Sequence, residues 1–130
     1  MTVDVVWCYG TVAGIIERYL GAIASHDWAV VDACIADDII RVGPYGDRYA
    51  GRDDYMAFIA ELMPKLAGYA MDLHRVSYLN DGLAYAELSE TTELDGTPMV
   101  TSEVLVFALA GDRRIARVDI FIQTPRPASP

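Results

Sequence analysis

Glu17-Arg18-Tyr19-Leu20-Gly21-Ala22-Ile23-Ala24-Ser25-His26-Asp27-Trp28, followed by Ala36-Asp37-Asp38-Ile39-Ile40, Gly43-Pro44-Tyr45-Gly46 and Tyr49-Ala50-Gly51-Arg52, is the stretch on which the fold turns. Val12, Ile16, Tyr19, Leu20 and Ile23 recur at helical spacing and predict a first helix over about 12–25 with one apolar face. Asp27 offers a carboxylate to cap a second helix, which carries Trp28, Val31, Cys34 and Ile35 inward and ends near Asp37-Asp38. The β-branched run Ile39-Ile40-Arg41-Val42 then reads as a strand. Gly43-Pro44-Tyr45-Gly46 is a turn, because Pro44 lacks a donor and the glycines tolerate positive φ. Asp53 or Asp54 caps a third helix through Met56, Ile59, Leu62 and Met63, which Pro64 and Gly68 close.

Beyond Tyr69 the apolar period shifts to two. Strands at about 69–79, 83–94, 98–110 and 114–124 are separated by turn signals at Asn80-Asp81-Gly82, Asp95-Gly96 and Gly111-Asp112, which makes an antiparallel meander. Helices first and a meander after them predict an α+β fold, with three amino-terminal helices packed on one face of a curved, mostly antiparallel sheet. Pro125-Arg126-Pro127-Ala128-Ser129-Pro130 reads as a loose tail that joins no ladder.

A chain of 130 residues with 53% hydrophobic content is long enough for one core and too short for two. The expectation is a single domain over 1–130 with its core at about 12–124. A net charge of −9 excludes a phosphate-backbone partner, since nucleic-acid binding draws on clustered Lys and Arg. The longest apolar run, 104–110, is far short of a membrane span, and no basic flank leads into an apolar signal core. The chain therefore reads as cytoplasmic and free of the membrane. Cys8 and Cys34 read as reduced thiols. His26 and His74 are far apart, and no cluster has ligand spacing, so neither a metal nor a cofactor is expected.

Strand parity selects the groups that reach the inner face. Ala84, Ala86 and Leu88 share a face with Glu90, and Leu105, Phe107 and Leu109 share one with Glu103. Val118, Ile120 and Ile122 oppose Arg117, Asp119 and Phe121. A slip of one residue would turn Glu103 outward. An acid on an apolar strand face is costly unless paired or protonated, and burial raises its pKa, which suits a general acid or a neutral donor.

The quoted stretch resembles the amino-terminal half of the nuclear transport factor two-like superfamily, in its SnoaL-like and ketosteroid-isomerase-like branch. The resemblance extends over roughly 12–124. It implies a cone with an internal pocket, a cystatin-like roll, that needs no cofactor. In the isomerase pattern a helix tyrosine and a protonated strand acid donate hydrogen bonds to a dienolate, while an aspartate moves the proton. Tyr19 matches the tyrosine, Glu103 is the candidate for the acid, and Gly43 stands where the aspartate would be. In the limonene-epoxide-hydrolase-like relatives a final-strand carboxylate falls at or next to Ile120, which brings in Asp119.

The resulting catalytic candidates are Tyr19, Glu103, Glu90, Asp119 and His74. Each has an ordinary structural role beside the functional one: a core aromatic for Tyr19, a solvated rim for Glu90 and Glu103, an ion pair with Arg117 or Arg75 for Asp119, and an outward position for His74. Tyr45, Phe58, Met63, Leu88, Leu105, Phe107, Val118 and Ile120 are the candidate substrate-binding residues. The leading expectation is an isomerase, cyclase or hydrolase acting by acid–base chemistry on a small apolar carbonyl, polyketide, terpenoid or epoxide-like molecule. The alternative is a non-catalytic ligand-binding or dimerisation module that has lost the isomerase base at Gly43. Val100, Val104, Val106 and Phe121 on the outer sheet face point to a homodimer in either case.

Overall fold

The computed structural model describes residues 14–79 and 82–128, so Cys8, Val12 and Asn80-Asp81 lie outside the described residues. Helix α1 (Ile15–Ser25) buries Ile16, Tyr19, Leu20 and Ile23 along one stripe, as its period requires. Its first turn is tied to the sheet, because the Ile16 N–H donates to the Tyr78 hydroxyl at 3.0 Å and that hydroxyl donates to Glu17. Helix α2 (Trp28–Cys34) starts at Asp27, whose carboxylate accepts the Val30 N–H at 3.4 Å.

Helix α2 ends at Cys34, earlier than the sequence predicts. Ile35 is already extended and opens strand β1 (Ile35–Val42), with Ile39 and Arg41 on its buried side. The Arg52 guanidinium takes the carbonyls of Asp32 and Ile35 and so closes the helix that a propensity reading would extend. After the Gly43 turn comes a short strand absent from the sequence reading, β2 (Arg48–Ala50), antiparallel to β1. Helix α3 (Arg52–Leu62) is capped by Gly51 at φ 95°, where a side chain would be strained. Asp53 and Asp54, predicted as caps, stand instead in its first turn, on the favourable side of the helix dipole. A 3₁₀ turn, Met63–Lys65, carries Pro64 and ends the helical half.

Strands β3 (Ala70–Tyr78), β4 (Leu83–Leu94), β5 (Thr97–Leu109) and β6 (Ile115–Ile122) form the expected meander. The sheet order is β2-β1-β6-β5-β4-β3, and β1 lies parallel to β6 while every other pair is antiparallel. The three helices cover one face of this unclosed, curved sheet, which makes the fold α+β. One expectation is corrected at the carboxyl end: Arg126–Pro127 form β7, which pairs with Met99 and Val100 of β5. Proline has no donor, but Ala128 supplies one, its N–H reaching the Pro98 carbonyl at 3.0 Å. No helix among the described residues is long and apolar enough to cross a membrane.

Candidate functional site

Between the helices and the inner face of the sheet lies a cavity of about 110 Å³. Ile59, Met63 and Leu66 wall it from the helical side, and Leu88, Leu105 and Ile120 wall it from the sheet. Its polar groups come from five elements: Tyr19 of α1, Arg41 of β1, Tyr55 of α3, Glu90 of β4 and Glu103 of β5. The registers Leu88↔Glu103↔Ile122 and Ala86↔Leu105↔Ile120 put the two acids on the apolar side, as strand parity predicts.

Glu90 and Glu103 act as a pair. Burial first, then a hydrogen bond to Glu90 and the negative charge of Glu90, push the Glu103 carboxyl up to about 10, with the charge of Arg41 opposing. Glu103 therefore keeps its proton at neutral pH. The Tyr69 hydroxyl also donates to Glu90, and burial together with that carboxylate holds the Tyr69 phenol far above its usual range.

The Tyr19 and Tyr55 hydroxyls bond each other, and either can be the donor. Burial raises both phenols, Tyr55 to about 12, so both stay neutral hydrogen-bond donors. The Tyr19 and Phe107 rings meet edge to face, their centroids 5.9 Å apart. Arg41 is only 9% exposed, lies over the Phe58 ring at 4.8 Å and forms a 2.6 Å ion pair with Asp47. Burial raises the Asp47 carboxyl, but the hydrogen bond and charge of Arg41 outweigh that and hold it below its usual value.

Of the sequence candidates, the cavity collects Tyr19, Glu90, Glu103, Met63, Leu88, Leu105 and Ile120. Asp119 is not among them: it pairs opposite Val106 on the outer face and is held by Arg117 at 2.9 and 3.0 Å. His74 falls at a register shift in β3, is exposed, and meets Ser89 Oγ at 3.0 Å. Tyr45 projects into solvent from its turn, 81% exposed. Phe58 flanks the cavity without lining it, stacked on Tyr49 at 4.0 Å beside a separate groove. Phe107 and Val118 are fully packed beneath the cavity and do not line it.

Arg41, Tyr55, Tyr69 and Met71 are the residues the sequence reading passed over. Tyr55 stands four and eight positions before Ile59 and Met63, which gives it their helix face. Arg41 shares the buried side of β1 with Ile39, but an arginine in that position reads as solvated until its partner is known. Among the described residues no group of three or more His, Cys, Asp or Glu side chains is placed to hold a metal.

Solved structures of similar shape agree on the fold. An epoxide hydrolase of the limonene-epoxide-hydrolase-like kind from M. tuberculosis superposes with a TM-score of 0.72 at 19% identity, covering 84% of this chain and 80% of that one. A nuclear transport factor two-like protein of unknown function from Burkholderia xenovorans gives 0.70 at 20% identity, covering 91% and 87%. A hypothetical protein with a ketosteroid isomerase-like fold from Catenulispora acidiphila, in complex with trimethylamine, gives 0.71 at 14% identity, covering 82% and 83%. At these identities the likeness shows the fold alone. No curated protein matches the chain. The SnoaL-like domain model matches residues 16–118, a span that begins on α1 beside Tyr19 and ends within β6, and the chain belongs to that family within the nuclear transport factor two-like superfamily.

Proposed function

We propose that the protein is a cofactor-independent enzyme that works by acid–base chemistry on a compact, largely apolar molecule bearing an epoxide or carbonyl oxygen. The observation that carries this reading is the Glu103 carboxyl, kept protonated and bonded to Glu90 in the wall of a mainly apolar cavity. Glu103 gives its proton to the ligand oxygen. Glu90 takes one from a water attacking the epoxide carbon, or from the carbon beside a carbonyl. The products are a diol in the first case and an enol in the second, and the proton then returns from Glu90 to Glu103 across their hydrogen bond. Tyr69 holds Glu90 in place, while the Tyr19–Tyr55 pair, one hydroxyl donating to the other, leaves one neutral O–H to donate to the reacting oxygen. The M. tuberculosis neighbour's name, an epoxide hydrolase, supports the epoxide arm.

A volume of about 110 Å³ is well below the 300–1,000 Å³ usual for ligand sites, so steroids and large polyketides do not fit without movement of the wall. Cyclohexene oxide, styrene oxide and cyclohexanone are therefore the first panel, read by diol formation and by deuterium exchange beside the carbonyl. Turnover that falls about 100-fold or more in Glu103→Gln and Glu90→Gln is the expected result. A second reading, a non-catalytic binding module, is favoured by Gly43, which offers no side chain in the place of the isomerase base. Binding from the panel without turnover would establish it.

We also propose that two copies associate through the outer sheet face. Val104 and Phe121 are exposed there, and the charges flanking them pair within the chain as Arg75–Glu87 and Arg117–Asp119. Sedimentation at micromolar concentration is expected to give a dimer mass, and Phe121→Glu a monomer.

A further inference from the structure

The absence of a side chain at residue 43 has a use in this fold. The Gly43 N–H donates to the Asp47 carbonyl at 2.7 Å, and the Gly46 N–H to the Gly43 carbonyl at 3.1 Å, closing a tight turn between β1 and β2. That turn folds the Asp47 side chain back over Gly43. A Cβ built on Gly43 would lie under 3.0 Å from Oδ1, Oδ2 and Cγ of Asp47. Gly43 is not among the glycines with positive φ, so space rather than backbone conformation demands glycine there. The Asp47 carboxylate so admitted reaches the Arg41 guanidinium at 2.6 Å. Arg41 in turn lines the cavity.

We propose that Asp47 is a positioning residue of the cavity: glycine at 43 makes room for its carboxylate, which holds Arg41 in the cavity wall and neutralises it, so that the cavity takes uncharged rather than anionic ligands. The charged and titratable groups around Arg41 are Asp47 from the turn, Tyr49 from β2, Tyr19 from α1, Tyr55 from α3, Glu90 from β4 and Glu103 from β5. With Arg41 spent on Asp47 and Glu103 protonated, the remaining charge in the cavity is that of Glu90. An anion entering would meet that charge with no free cation to offset it. Gly43 is then the complement of Asp47, and the isomerase base is replaced by an ion pair.

The test reads the free protein and needs no substrate, so its outcome is separate from that of the proposed reaction. The ¹³C carboxyl resonance of Glu103 is followed through a pH titration in the parent and in Asp47→Ala, Gly43→Ala, the double variant and Arg41→Met. Removing Asp47 leaves the Arg41 charge uncompensated, so the Glu103 midpoint falls by about one unit or more. Gly43→Ala, by pushing Asp47 off Arg41, gives the same fall, and adding it to Asp47→Ala changes nothing further. Arg41→Met moves the midpoint upward. Acetate, used as the anionic probe, shifts the Glu103 and Tyr19 resonances in Asp47→Ala and not in the parent.

A purely structural Asp47 would lower the melting temperature and leave the Glu103 midpoint where the parent has it, which overturns the proposal. So does acetate binding in the parent cavity, or a Gly43→Ala effect that adds to that of Asp47→Ala. Should Asp47→Ala fail to fold, Asp47→Asn keeps the volume, removes the charge and carries the same expected fall.

Discussion

Between its ordinary value of 4.5 and the value of about 10 it has in the fold, the Glu103 carboxyl is protonated in the native chain and ionised in the unfolded one. The unfolded state binds fewer protons throughout that window, so the group's contribution to stability is complete below about pH 4.5 and is lost as pH rises toward 10. Glu103→Gln puts a hydrogen-bonding amide in place of the carboxyl and removes the titration. Chemical denaturation is expected to show the variant more stable than the parent at pH 8, by up to about 5 kcal/mol, with a flatter decline between about pH 5 and 9. A decline as steep as the parent's would mean that Glu103 is charged in the fold. At Gly43 the opposite kind of change is informative. Gly43→Asp adds a carboxylate where Asp47 already stands, so it is expected to lower the melting temperature and to yield no isomerisation of a decalone. Glu90, Glu103 and Tyr19 were legible because parity and helical period assign a side before any contact is known. Arg41 and Tyr55 were not: a strand arginine is buried only when paired, and its partner lies beyond a turn whose geometry the sequence does not state.

Helix α3 reaches its place through one side chain at its first residue. Arg52 bonds the Asp32 and Ile35 carbonyls and the carboxylates of Asp32 and Asp37, and so ties α3 to the end of α2 and the start of β1. Burial alone would lower its pKa, but the two aspartates outweigh that and raise it. Arg52→Ala is expected to cost about 2 kcal/mol, because it removes the donor on the Ile35 carbonyl and a second donor on the Asp32 carbonyl as well as breaking ion pairs. Arg52→Lys is expected to recover only part of this, since an ammonium cannot span the same fork of acceptors. The same contacts explain where element boundaries escaped the sequence. Ile35 fits a helix by pattern, and two partners distant in the chain, Arg52 on its carbonyl and Ile115 across the sheet, make it a strand residue. Likewise Arg126-Pro127 carry no strand propensity and pair because β5 outlasts β6 and leaves Met99 and Val100 free to accept them.

At the scale of the whole molecule, the order of helices and hairpins was enough to give the α+β class, because patterning alone decides which faces must be covered. The size of the enclosed space was not, since it depends on how far Met63, Leu66 and Met71 lean inward. Met63→Ala is expected to enlarge the cavity and to cost about 2–5 kcal/mol of stability, while admitting ligands that the parent excludes. Calorimetric titration with a series of cyclic ketones of rising ring size checks the second half of that expectation, and an unchanged size limit would mean that Met63 does not set it.

The parallel pairing of β1 with β6 sets the schedule on which this chamber is assembled. Strand β1 precedes the meander in the chain and its neighbour β6 follows the rest of it, so nothing covers that edge while β3, β4 and β5 are being made. Arg41 and Glu103 belong to strands separated by β6, and they come to face one space only once that last long strand has slotted between them. Chain closure of this length is slow relative to hairpin formation. Nascent chains arrested before β6 would hold α1–α3, the β1–β2 hairpin and the β3–β4–β5 meander without a finished interior, and in that interval the bare flank of β1 invites a neighbouring ribosome's product to take the vacant place.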